Sequence, residues 1–103
     1  MPQATLCSAI VTMNLVQIYY IGDAAIGFRT VEPHMVAYND AGHLSLSAWC
    51  LSGASESIQD QGWREYLLSE ISNVTVLQQR FFGPRAGYQR DGGKKYHNVQ
   101  CAV

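Results

Sequence analysis

Seven lysines and arginines in 103 residues are few enough to follow one at a time. Arg29 and Arg64 each offer a planar guanidinium fork, the shape that grips phosphate. Either could instead pair with a carboxylate of the chain, and Glu32 stands close to Arg29 in sequence. Arg80, Arg85, Arg90, Lys94 and Lys95 are interleaved with Phe81, Phe82, Tyr88 and Tyr96. Cations for phosphates with rings for bases is the composition of a single-strand nucleic-acid track. A solvated polar loop, with Phe81 and Phe82 filling a barrel or a subunit interface, has the same composition. Ser45, Ser47 and Trp49 alternate along one run and share a face, two hydroxyls and an indole suited to polar contact and stacking. Tyr66 shares a face with Arg64, where it either stacks on a ligand or fills the core.

Catalytic signatures are absent. There is no Gly-x-Ser-x-Gly elbow, no Walker loop and no Gly-x-Gly-x-x-Gly. His97 and Cys101 stand four apart, which suits a metal only on a helix, and their surroundings read as strand. The expectation is binding without catalysis, and neither metal nor cofactor.

Composition narrows the class. At 48% hydrophobic the chain can bury a core, while only 15% is charged. One domain over residues 1–103 is expected. No apolar run approaches the ~20 residues of a membrane helix, and the N-terminal residues lack a secretory pattern. A cytoplasmic location is the expectation. Cys7, Cys50 and Cys101 are odd in number and widely spaced, and read as free, mostly buried thiols. Charge is asymmetric: residues 1–62 carry one cation against five acids, residues 63–103 six against three.

Leu6, Ala9, Ile10 and Met13 fall on one helical face, so a short helix opens the chain and Asn14 stops it. Leu15–Ile21 is β-branched and aromatic, a strand closed by Gly22-Asp23. The chain turns back through 24–27 into Phe28–Glu32. Pro33 should interrupt pairing, with Met35–Tyr38 a separate strand. Asn39-Asp40-Ala41-Gly42 signals a hairpin. Leu44, Leu46 and Ala48 face inward from the next strand, opposite Ser45 and Ser47. Residues 52–62 read as loop and Trp63–Leu68 as strand. One helical turn is expected at 69–73, a strand at Val74–Gln78, a loop at Gly83–Lys95, and a last strand or tail at 96–103. A short helix followed by five or six hairpin-spaced strands points to a small antiparallel β-barrel or curled sheet.

Four blocks in order carry a family likeness: Ile18-Tyr19-Tyr20, Arg29-Thr30-Val31-Glu32-Pro33-His34, Gly42 to Cys50, and Arg64-Glu65-Tyr66-Leu67-Leu68-Ser69-Glu70-Ile71. Over roughly residues 4–82 the chain resembles the WYL domain. Leu44 and Ser45 stand where that family has Trp and Tyr, and Leu67 and Glu70 at two positions often basic in it.

The resemblance implies a mainly β fold, an Sm-like or SH3-type barrel with one N-terminal helix. It implies a regulatory, ligand-sensing module, often tied to transcription, and makes His34 a ligand contact. No helix-turn-helix fits in residues 1–14, so a stand-alone module is expected. Its ligand would be anionic, a nucleotide or single-stranded nucleic acid, held by Arg29, His34, Ser45, Ser47, Arg64 and Tyr66, with help from the basic 80–95 stretch. It would act as a homo-oligomer or through a partner effector protein. The alternative is an interaction or oligomerisation module with a degenerate ligand site.

Overall fold

The opening helix forms where its apolar face demands it. The computed structural model describes residues 2–22, 26–52 and 61–103. Helix α1 spans Pro2–Thr12 and buries Leu6, Ala9 and Ile10. Proline suits a first helical turn, whose N–H groups have no intrahelical acceptor. The helix ends at Met13, not Asn14: Met13 takes a left-handed φ of 56° and returns its N–H to the Ile10 carbonyl.

Six antiparallel strands follow in one sheet: β1 (Asn14–Tyr20), β2 (Gly27–Tyr38), β3 (Leu44–Ser52), β4 (Gly62–Leu67), β5 (Ile71–Arg80) and β6 (His97–Ala102). The order is β4-β3-β2-β1-β5, and β6 joins β2. The two ends of this path, β4 and β5, are joined by a single 3-10 turn at Leu68–Glu70. Strand β2 pairs with β1 through Gly27–Val31 and with β6 through Met35–Tyr38, so one edge serves two neighbours. The fold is the mainly β fold with one N-terminal helix that the residue patterns imply.

Strand β2 runs unbroken through Pro33, contrary to the expected interruption. Pro33 stands opposite Ala48 and Met35 opposite Ser47, so His34 is an extra residue in a bulge. The bulge absorbs the missing proline donor. It also turns the His34 carbonyl outward, where it accepts the Val103 N–H at 2.9 Å. The Asn39–Gly42 hairpin forms as expected: the Asn39 side-chain oxygen accepts the Ala41 and His43 N–H groups, and Gly42 adopts φ 82°. Strand β5 is longer than the Val74–Gln78 read from sequence. Parts of the loops expected at 22–27 and 52–62 lie outside the described residues.

Val16, Ile18, Val31, Val36, Leu46, Ala48, Cys50 and Tyr66 build the core, closed at one side by Leu6 and Ile10. Leu46 and Ala48 face inward as the alternation requires, and Leu44 packs at the margin. Ser45 is fully buried as well, which the sequence did not lead us to expect. The reason is a second interior. The opposite face of β2 and β3 is covered by the 81–96 loop, so β2 is buried on both sides from Val31 to Ala37.

The expectation of three free thiols is overturned. Cys7 on α1 and Cys101 on β6 form a disulfide, with Cα atoms 5.6 Å apart, and Cys50 alone is free. No helix among the described residues is long and apolar enough to cross a membrane.

Candidate functional site

The second interior is aromatic and polar. His34 lies fully buried between Trp63, Phe81 and Tyr88, with ring centroids 4.8–5.2 Å away. Its Nε2 accepts the Arg85 N–H at 3.1 Å, so Nδ1 carries the proton and donates to the Glu32 carbonyl at 2.8 Å. Burial holds the ring below its ordinary pKa, opposed by the Glu32 carbonyl and carboxylate. The fold therefore keeps the neutral ring. An unfolded imidazole titrates near pH ~6.5. Stability is full above that pH and declines as pH falls through the lower folded-state value. The urea midpoint of the wild type should drop between pH 7 and 5.5, and His34→Gln should flatten that slope. An equal slope in both proteins would sink this assignment.

Glu32, 5% exposed, receives both nitrogens of the Arg85 fork at 2.7 and 2.8 Å. Arg85 also lies over the Trp49 ring, 4.9 Å from its centroid. Arg29 does not pair with Glu32: the two stand three apart in a strand and point to opposite faces. Trp63 Nε1 donates to the Ala86 carbonyl, and Tyr88 reaches the carbonyls of His34 and Val103. These contacts bind the 81–96 loop to the sheet.

Between that loop and the sheet lies a groove of about 960 Å³. That is within the ~300–1,000 Å³ usual for small-molecule sites. Its floor is a row across three strands, Met35, Ser47 and Glu65, which stand opposite one another in register. Trp63, Tyr88 and Tyr96 supply rings, and Arg64, Arg90, Lys94 and Lys95 line the groove together with Glu65 and Asp91. The Glu65 carboxylate is already engaged: it accepts from Asn39 at 2.9 Å and Tyr96 at 3.0 Å, and lies 3.6 Å from Lys95. Burial, reinforced by that carboxylate, pushes the Tyr96 hydroxyl above its ordinary pKa, so it remains a donor. Gly92 shapes the wall. It is buried at φ 91°, and a Cβ there would sit 2.5 Å from the Tyr96 carbonyl oxygen.

The residues singled out from sequence divide. Ser47, Arg64, Arg90, Lys94 and Lys95 come together in the groove. His34 and Ser45 do not; both are fully buried, and Ser45 donates to the His43 carbonyl. Tyr66 is a core residue, edge-on to Tyr20 at 5.0 Å. Burial raises its hydroxyl pKa, helped by Cys50, while Arg29 and Arg64 pull the other way. Arg29 is 7% exposed and donates to the Gly27 carbonyl at 2.9 Å. His34 lies on the stretch of β2 that is buried on both sides, whereas Tyr66 belongs to the main core. Arg80 and Arg85 border a smaller cleft of about 470 Å³ with Phe82. Met35 and Glu65 were missed as groove residues; their signal was the register with Ser47, which only pairing reveals. His97 bonds Asp40 at 2.7 Å, and Cys101 is spent in the disulfide, so the two do not act together.

No family model matches the chain, and no curated protein matches it. Among solved structures, the chain is similar to Proteasome accessory factor B/C (PafBC) of Arthrobacter aurescens. The TM-score is 0.66 at 17% identity, over 84% of this chain and 13% of that one. At that identity the likeness shows a shared fold. The chain thus spans a small part of the length of the protein it resembles.

Proposed function

We propose that the chain is a WYL-type regulatory module, not an enzyme, that binds an anionic ligand in the groove beneath the 81–96 loop. The observation that carries this reading is the meeting of four cations and three aromatic rings around one ligand-sized groove. The four sequence blocks and the fold shared with part of PafBC support it. The ligand class is a nucleotide or a short single strand: phosphates meet Arg64, Arg90, Lys94 and Lys95, and a base stacks on Trp63 or Tyr88. Binding is passed on to a partner effector protein. A protein-interaction module is the second reading, favoured by Phe82, which is fully exposed beside Arg80.

Fluorescence anisotropy with a labelled single-stranded oligonucleotide, with an unlabelled mononucleotide as competitor, tests it. Affinity should fall with salt, with a slope near −0.7 per neutralised phosphate. Arg64→Ala, or Lys94→Ala with Lys95→Ala, should weaken binding roughly three- to tenfold across sequences, because phosphate contacts position without specifying. Arg29→Ala should leave affinity unchanged, since Arg29 does not line the groove. Absence of binding at low salt removes the nucleic-acid ligand and leaves the interaction module.

A further inference from the structure

A groove lined by cations has a carboxylate built into its floor. Glu65 stands on β4 opposite Ser47, and its side chain is 24% exposed. Asn39 Nδ2 donates to its Oε2, the Tyr96 hydroxyl donates to Oε1, and the Lys95 ammonium lies 3.6 Å from Oε1. A carboxylate has about four lone-pair sites shared between its two oxygens. Asn39 and Tyr96 take one on each, so each oxygen keeps a site for a further donor, and the group is held in one orientation. Asp91, the other acid of the groove, differs: it is exposed in the loop, and its Oδ1 accepts the Gly93 N–H. Trp63 precedes Glu65 by two residues on the same strand, so both side chains leave the same face of the sheet. They stand about 6.6 Å apart along it, so a base stacked on the indole has its edge within reach of the carboxylate.

We propose that Glu65 reads the base and selects guanine, either in a free nucleotide or in a single strand. This inference rests on the proposed ligand class and adds the base to it. Guanine alone among the common bases offers two adjacent donors on one edge, N1–H and the 2-amino group. Adenine and cytosine each set one amino donor beside a ring-nitrogen acceptor. Uracil and thymine set one N–H between two carbonyls. Against a fixed carboxylate those acceptors are repelled and one oxygen is left unmatched, and a site built for a donor rejects a ligand that lacks it. The cations hold phosphate whatever the base, and Glu65 makes the choice.

Fluorescence anisotropy tests this with a labelled thymine tract carrying one guanine as probe, and GMP, IMP, AMP, CMP and UMP as competitors. GMP should displace the probe at a concentration about fivefold or more below that of AMP, CMP or UMP. IMP, which keeps N1–H and lacks the 2-amino group, should fall between. Glu65→Gln puts a donor where an acceptor stood and should abolish the preference of GMP over AMP. Tyr96→Phe, which releases the carboxylate to turn, should narrow it. Arg64→Ala should weaken all five and keep their order, and circular dichroism should show each variant folded. Probe binding tighter than that of GMP places the guanine in a strand, and equal affinity makes it a free nucleotide; both support Glu65 as the reader. Equal displacement by all five competitors, or a GMP preference that survives Glu65→Gln, would overturn the inference and leave the anion-binding groove standing. Absence of binding by the probe and every competitor would overturn both.

Discussion

Cys7→Ser should lower the unfolding free energy by about 4 kcal/mol, from the ~4.7 expected when a 100-residue loop is closed and the 2–5 measured for native disulfides. The Cys7–Cys101 bond spans 94 residues, nearly the whole chain, so most of the unfolded ensemble is constrained by it. Domains of this size are stable by only ~5–15 kcal/mol, so the loss is a large fraction of the total. At ~4–8 °C per kcal/mol the melting temperature should fall by roughly 15–30 °C. Reducing the wild type should reproduce the shift. A Cys50→Ala variant should not, since Cys50 is a small buried thiol outside any bridge. Mass spectrometry of the denatured, alkylated protein should find one reactive thiol before reduction and three after. Equal urea midpoints for oxidised wild type, reduced wild type and Cys7→Ser would show that the bond contributes nothing.

Arg85→Ala should cost roughly 2–3 kcal/mol, less than the ~3–5 of a fully buried pair because the Arg85 side chain is 41% exposed. Most of this is the penalty of leaving the Glu32 carboxylate buried without its partner. Two comparisons separate that cause from lost packing over Trp49. Adding Glu32→Gln to Arg85→Ala should recover stability relative to Arg85→Ala alone, since an amide tolerates burial better than a stranded charge. Arg85→Lys should fall between wild type and Arg85→Ala, because an ammonium keeps the charge and loses the fork. A double variant less stable than Arg85→Ala would sink the stranded-charge account. The same substitution should weaken oligonucleotide binding, because Arg85 anchors the loop that carries Arg90, Lys94 and Lys95.

The fold was legible where a strand or helix has one buried face. Leu6, Ala9 and Ile10 on α1, and Leu46 and Ala48 on β3, are set by periods of 3.6 and 2 that any core imposes. The β2–β3 hairpin was legible because Asn39 and Gly42 do chemistry that only a turn needs. The candidate site was half legible. The basic and aromatic composition of the 80–95 stretch marked Arg90, Lys94 and Lys95, and the guanidinium fork marked Arg64. Neither gave a sign that His34 and Ser45 are interior, because their cover comes from residues some fifty positions away: His34 meets Arg85 across 51 residues. Nothing local couples Glu32 to Arg85, or Cys7 to Cys101, and spacing over such distances carries no geometry. Pro33 misled for a related reason. The rule against proline in a strand holds for a regular ladder, and the His34 bulge makes this ladder irregular at that point.

The helix-to-β6 bridge also decides how the molecule bears load. Force entering near residue 7 and leaving near residue 101 is carried by the sulfur–sulfur bond, in parallel with the whole sheet. The strands between, however they are paired, are shielded from tension as the rim of a hoop is shielded by a bar across its gap. Under oxidising conditions the structure is then a stiff, inextensible node. Once the bond is reduced, the same pull falls on β6, which is held to β2 by three registered pairs at Met35, Val36 and Tyr38. Val103, directly after that strand, accepts hydrogen bonds from Tyr88 and Arg90 at its carbonyl, so the first mechanical failure of the reduced molecule would open the groove wall.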